Sequence, residues 1–326
     1  MSNLKSKILS RVADDLSQIE AALLENLNPH LDLVREVASH ILFAGGKRLR
    51  PLLMVLAARI CGYAGSYDRK FSTIFEYLHA ATLLHDDLVD DATLRRGRTA
   101  AHIVYGNPTA VLTGDFLLAR SLAIAAETEI PKLIGIIAKI TEDMSQGEIN
   151  QLQNKGKIDL SSQEYMDVIR RKTAVLIMGA CRSGALVAGA DRESEQALDN
   201  YGYNLGIAFQ MVDDLLDYTA NTENLGKAVG ADLREGKLTM PIIHALANAE
   251  EKDRRQMISI IKNENLTLQD FEAFRELLSR YGGIAHTHEM AVSHIEKAKG
   301  ALAIFPPSET KNTLLMLADY ALVRKT

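Results

Sequence analysis

Two cysteines, Cys61 and Cys181, are all that the 326 residues contain, and neither has a second Cys or a His at metal-ligand spacing. That excludes a disulfide scaffold. Both read as buried, reduced thiols, as in a cytoplasmic protein. Proline is scarce at 7, and Pro51, Pro108, Pro131 and Pro241 fall where helices would begin. Alternating apolar–polar runs and Asn-Gly or Asp-Gly turns are nearly missing, which leaves little room for sheet. No uninterrupted apolar run reaches the roughly 18 residues of a membrane span. Residues 1–10 lack the apolar stretch of a signal peptide. Surplus positive charge is missing too: 37 Lys and Arg against 42 Asp and Glu give a net charge of -5, which argues against sequence-independent nucleic-acid binding. There is no Gly-x-Gly-x-x-Gly, Walker loop, His-Glu-x-x-His or Gly-x-Ser-x-Gly.

What is present is a core and a helical rhythm. Hydrophobic residues make up 47% and charged residues 24%, enough for a large interior under a normal solvated surface. Leu4, Ile8, Val12, Leu16, Ile19, Leu23 and Leu27 recur at spacings of three and four, and Leu33 to Leu42 continue the pattern up to the stop at Gly45-Gly46. After Pro51 a helix runs over 52–60. Further helices are expected over 70–91, 108–126, 131–154, 162–188, 194–218, 239–248, 253–263, 268–281, 283–303 and 308–324. No linker or composition shift divides the chain, so 1–326 reads as one domain, a single large helical bundle. Only 221–238, glycine-rich and charged, reads as an ordered loop.

Two segments interrupt this apolar rhythm in the same way: His85-Asp86-Asp87-Leu88-Val89-Asp90-Asp91 and Gln210-Met211-Val212-Asp213-Asp214-Leu215-Leu216-Asp217. On a helix Asp86 and Asp90 share one face, as do Asp213 and Asp217. Like charges at that spacing repel, and unpaired carboxylates near an apolar interior cost several kcal/mol each or protonate. Something cationic must neutralise them. The hard, oxygen-preferring Mg²⁺ suits them, because it is held by one or two carboxylates together with substrate phosphate and water. His79 lies seven residues before Asp86 on the same face. Gly206, two turns before Asp213, is expected to leave room for a ligand beside its helix.

Basic residues sit beside both acidic segments. Gly45-Gly46-Lys47-Arg48-Leu49-Arg50-Pro51 places cations ahead of a helix N-terminus, where free amides and the helix dipole favour an anion. Arg95-Arg96-Gly97 follows the first acidic segment, and arginine grips phosphate bidentately. Lys172-Thr173 breaks an apolar helix, and Lys227 and Lys237 follow the second segment. Several aspartates with several cations point to a metal-bridged phosphate and a second, metal-free phosphate.

Together GGKRLRP, HDDLVDDATLRRG, the RRKT around Lys172, GIAFQMVDDLLD, LGKAVGADL and GKLTMP resemble the trans-isoprenyl diphosphate synthase (polyprenyl synthetase) family, over nearly the whole chain. The resemblance implies the all-α isoprenoid synthase type I fold, a bundle around a deep central cavity, in a homodimer. It implies that Asp86, Asp90, Asp213 and Asp217 bind more than one Mg²⁺, with Asp87 and Asp214 supporting. Arg95, Lys172, Thr173, Gln210, Lys227 and Lys237 would hold the allylic diphosphate, with Lys172 and Gln210 close to the chemistry. Lys47, Arg50, His79 and Arg96 would hold isopentenyl diphosphate. The reaction would be ionisation, condensation and elimination in a water-free pocket.

Family members with short products carry an aromatic side chain four or five residues before the first motif, or an insertion in it. Here Thr82 and Ala81 stand there, so the tunnel is expected to stay open, with Leu78 lining it and Phe75 at its floor. The product would exceed geranylgeranyl. The alternatives are the catalytic subunit of a heteromeric synthase with a small partner, a geranylgeranyl or farnesyl synthase, a terpene cyclase, for which the second phosphate site is surplus, and a structural bundle, which leaves the aspartates unexplained. No membrane span is expected, though product release would allow peripheral membrane contact.

Overall fold

The computed structural model describes residues 2–219, 230–263 and 265–324. Helix dominates, as scarce proline and the 3.6-residue rhythm require. Among the described residues the order is α1 (Ser2–Leu27), α2 (Asp32–Leu42), α3 (Leu49–Ile60), α4 (Tyr67–Val89), the two-residue strands β1 (Leu94–Arg95) and β2 (Arg98–Thr99), α5 (Ala101–Tyr105), α6 (Asn107–Ala126) and α7 (Pro131–Gln153). There follow α8 (Ser162–Ile169), a π-helical turn (Arg170–Ala174), α9 (Val175–Val187), α10 (Arg192–Thr219), α11 (Ala231–Arg234), α12 (Met240–Asn248), α13 (Glu251–Ile261), α14 (Leu268–Arg280), α15 (Gly283–Ala301) and α16 (Glu309–Val323). The expected segments match these to within a few residues.

The single helix expected over 162–188 is divided. At Arg170–Ala174 the backbone widens to a π turn, with Val175 N–H bonding back to Arg170 C=O, five residues earlier. The reason lies on α7. A Cβ on Gly147 would stand 2.8 Å from Arg171 Cβ and 3.1 Å from Lys172 N, so the bulged turn rests directly on a glycine. Such turns recur at functional sites because they re-aim one or two side chains.

The contacts group into two compact units, each built from three separated stretches of chain. In the first unit (1–141, 179–199 and 302–316) α4 packs on α6, α3 and α1. Ile19, Leu23, Leu53, Met54, Ile74, Phe75, Leu117 and Ile124 form its core, all without solvent exposure. Tyr77, also fully buried, donates its hydroxyl to Leu23 C=O at 2.6 Å. In the second unit (142–178, 200–301 and 317–326) α12 packs on α15, α14 and α8. Met211, Tyr218, Ile242, Phe274 and Ile295 are its fully buried centre. Cys181 is buried as expected, but Cys61 is only half-buried, at the end of α3.

Within the first unit, α9 crosses α3 at a glycine. A Cβ on Gly184 would lie 2.4 Å from Met54 C=O and 2.8 Å from Ala58 N, both backbone atoms that cannot yield. Gly184→Ala should therefore cost about 1–3 kcal/mol in urea unfolding. Gly135→Ala on α7, where the space is open, should be neutral or gain up to about 1 kcal/mol from helix propensity. Equal midpoints for the two variants would contradict the close crossing.

Candidate active site

The first acidic segment ends α4. Asp86 lies in the last turn, half-buried, and Asp90 caps it, its N–H bonding Asp86 C=O at 2.8 Å. Asp87 points the other way and is 1% exposed. Its Oδ1 takes the Arg95 guanidinium, with Nε donating at 2.6 Å. Arg95 can reach back because β1 and β2 form a hairpin whose central residues, Arg96 and Gly97, both have positive φ (52° and 75°), the geometry of a type I′ turn. Arg96, at the tip, donates to Gly45 C=O in the glycine loop before α3.

That loop splits its three cations. Arg48, in the left-handed region at φ 47°, turns inward and is 4% exposed. Its Nε donates to Glu20 at 2.6 Å, its Nη1 to Glu76 at 2.8 Å and its Nη2 to Leu42 C=O at 2.7 Å. Lys47 on one side is exposed and Arg50 on the other is half-buried. Glu76 is three residues before His79 on α4, so Arg48 ties the loop to the helix that carries His79. Burial, and the nearby Arg50, Arg96, Arg95 and Arg48 charges, hold His79 well below its ordinary pKa, as a neutral imidazole. The four side chains assigned to isopentenyl diphosphate by resemblance thus lie on the glycine loop (Lys47), the first turn of α3 (Arg50), the hairpin tip (Arg96) and α4 (His79). Further back on α4, Ala81, Leu78 and Phe75 are buried, and Thr82 is half-buried with its hydroxyl bonded to His79 C=O.

The second acidic segment lies on α10, in the other unit. Asp213 is exposed and pairs with Arg324 at 2.7 Å. Arg324 is 6% exposed, lies 3.6 Å over the Phe209 ring and also donates to Phe209 C=O. Asp214 is 4% exposed. It accepts from Tyr165 Oη at 2.5 Å and from Gln210 Nε2 at 2.8 Å, while Thr173 Oγ1 donates to Gln210 Oε1 at 2.7 Å. Asp217 receives the N–H groups of Ala231 and Asp232 on its two oxygens, at 3.1 and 3.0 Å, and so caps α11. A cavity of about 170 Å³ is lined by Lys172, Thr173, Gln210, Asp214, Asp232 and Lys237 together with Tyr165 and Thr239. Lys172 pairs with Glu148 at 2.5 Å, and Lys237 with Glu235. Lys227 lies outside the described residues, as do 221–229 of the glycine-rich loop; the rest of that loop carries α11.

Gly206 has another job than the one expected of it. A Cβ there would lie 2.6 Å from Ala174 Cα, so the missing side chain admits the π turn against α10 and leaves no space for a ligand. Sequence reasoning also missed Arg48, Tyr165, Glu148 and Asp232. Asp232 sits in GADL, whose lone carboxylate carries no spacing signal. Burial, with Asp214 and Asp217 close by, pushes its pKa well above the ordinary value. Asp217 is raised by burial as well. Among the described residues no three His, Cys, Asp or Glu side chains converge as a ready metal cage.

The chain matches the polyprenyl synthetase family model over residues 31–278. It is 37% identical to octaprenyl diphosphate synthase of Escherichia coli across 98% of both chains. Among solved structures it superposes with a TM-score of 0.92 on polyprenyl synthase from Caulobacter crescentus complexed with calcium and isoprenyl diphosphate, at 38% identity and 98% coverage of both chains. A decaprenyl diphosphate synthase from Rhodobacter capsulatus matches with a TM-score of 0.92, 37% identity and coverage of 98% of this chain and 99% of that one. All three likenesses are close to full length, and the fold is the all-α isoprenyl synthase fold. The chain belongs to the polyprenyl synthetase family.

Burial lifts the Asp214 carboxyl from its ordinary value near 3.8 to about 7. The folded chain then keeps this proton at pH values where the unfolded chain has released it, so the group's contribution to stability falls as pH rises between those two values. Asparagine has no such dependence. In EDTA, Asp214→Asn should gain stability relative to the unaltered chain from about pH 4 to about pH 7 and hold level above. A urea-unfolding difference that is flat across this range would contradict the assignment.

Proposed function

We propose that the chain is a long-chain trans-polyprenyl diphosphate synthase, a prenyltransferase that adds isopentenyl diphosphate head to tail to an allylic diphosphate. The observation that carries this is the near full-length identity with an octaprenyl synthase in a chain whose two acidic segments and basic loops are all present. Residues 1–326 act as one domain, since each compact unit needs three separated stretches.

The donor set fits a hard divalent cation, and Mg²⁺ is the one we assign. Asp86, Asp90, Asp213 and Asp217 would hold more than one such ion with substrate phosphate completing the shell. When bound, the metal supplies Lewis-acid stabilisation of the departing diphosphate. The basic side chains take a share of the same charge: Arg95, Lys172, Lys227 and Lys237 grip the allylic diphosphate as it leaves. Lys47, Arg50 and Arg96 hold the other diphosphate, and neutral His79 offers it a hydrogen bond without adding charge. Thr173 and Gln210 turn oxygen atoms toward the developing cation. The isopentenyl double bond attacks, and the proton passes to the departed diphosphate, since among the described residues none is placed as a strong base.

Chain growth then runs along the α4 face of Ala81, Thr82, Leu78 and Phe75, with Phe75 as its floor. The working form is a cytoplasmic homodimer. α6 supports this: it is long and apolar enough to cross a membrane, yet much of it is not buried, and Leu112 is 66% exposed. A second copy would cover that face, and peripheral membrane contact would serve release of the long product. Nucleic acid plays no part.

Pure protein incubated with Mg²⁺, labelled isopentenyl diphosphate and farnesyl diphosphate should yield a product longer than geranylgeranyl, and EDTA should abolish it. Asp86→Ala and Asp213→Ala should each lower turnover by at least about 10³-fold; near-normal turnover in both would remove the metal assignment. Ala81→Tyr should shorten the product, and an unchanged length distribution would reject the tunnel.

A further inference from the structure

A glutamine amide can be placed either way round, because its two ends differ only in which donates and which accepts. At Gln210 the two neighbours differ in what they demand. The Thr173 hydroxyl serves as donor or acceptor, and so settles nothing by itself. In the observed geometry Asp214 Oδ1 accepts from the amide end of Gln210 at 2.8 Å, which leaves the carbonyl end facing the Thr173 hydroxyl at 2.7 Å. What keeps Asp214 in that role is Tyr165. This tyrosine is 3% exposed, stands on α8 and gives its O–H to the second carboxylate oxygen at 2.5 Å. The donated proton leaves Asp214 to accept from Gln210 rather than turn away.

We propose that Tyr165 is a positioning residue for the condensation: through Asp214 it fixes the Gln210 amide with its carbonyl oxygen on the Thr173 side of the cavity. A carbonyl dipole so fixed presents its negative end to an allylic carbon that turns positive as diphosphate leaves, with no reorganisation at that moment. The role rests on the prenyl-transfer reading and adds to it a residue that neither the aspartate motifs nor the basic loops contain. Three of the four side chains in the relay, Tyr165, Thr173 and Asp214, are buried, and all four line the same cavity of about 170 Å³.

A double-mutant cycle tests this. Tyr165→Phe, which keeps the ring, should lower kcat by about tenfold, the size expected for the loss of one buried hydrogen bond. The KM for the allylic diphosphate should stay within about twofold. In a Gln210→Ala background the same change should cost less than about twofold more, since the residue it acts through has gone. Melting temperature is followed in each variant. Placing 3-fluorotyrosine at 165, with its hydroxyl kept, should restore kcat to within about twofold even if the phenylalanine variant is too unstable to assay. Equal losses in the two backgrounds, an unchanged kcat in Tyr165→Phe or a fluorotyrosine enzyme without turnover would each overturn the role. No turnover by the unaltered chain would overturn the functional reading along with it.

Discussion

A carboxyl group inside a protein, ionised or not, needs hydrogen-bonding partners, and this requirement shapes the molecule around both aspartate segments. In Asp-Asp-x-x-Asp the first and last residues share one helix face and the middle one is rotated away from it. Apolar sequence on either side then forces the middle aspartate inward. The consequence is the same in both segments. Asp87, 1% exposed, holds Arg95, and Asp214, 4% exposed, holds Gln210 and Tyr165. The outer aspartates lie on the shared face, where we place the cation, while the inner ones are engaged by the side chains beside them. On the proposed reading a doubled aspartate encodes two tasks in adjacent positions, and the one facing the protein is the one filled by Asp87 and Asp214.

The glycine loop applies the same economy to positive charge. Lys47, Arg48 and Arg50 could all have faced an anion, but three cations at one helix entry repel one another. Arg48 instead takes a left-handed conformation and is neutralised by Glu20 and Glu76. Removing either glutamate would leave a buried guanidinium short of a partner, which is far costlier than losing a surface pair. The reward is geometric: the loop is tied to α1 and α4, and α4 carries His79 and Asp86. Arg96 adds a third tie, from the hairpin tip to Gly45.

Helices, the scarcity of sheet among the described residues and the residues of both acidic segments were legible in the sequence because each follows from a periodic or paired pattern. The π turn was not, because its cause sits on another helix. Gly147 reads as an ordinary interior glycine until Arg171 is found resting on it. Gly206 misled for the same reason. A glycine one turn before Gln210 and two before Asp213 suggests space for a ligand, and only the neighbouring Ala174 reveals that backbone fills it. Tyr165 was invisible because a tyrosine on an amphipathic helix looks like core, and so it is, apart from one hydroxyl. Asp232 lacked a partner at a telling spacing. What sequence cannot carry is the identity of a residue's neighbours across helices, and the supporting layer of this site consists of such neighbours.

The charged groups of the site already have protein partners: Lys172 has Glu148, Lys237 has Glu235, Asp213 has Arg324, and Asp217 has the α11 amides. Arrival of a diphosphate and its counter-ions is then an exchange of partners. The free energy gained is the difference between two sets of good interactions, so affinity is far smaller than a count of final contacts suggests. This suits an enzyme that must release a diphosphate after every condensation and take up another. The protein pairs also hold each side chain near its working place between turnovers, which limits the rotamer entropy lost on binding.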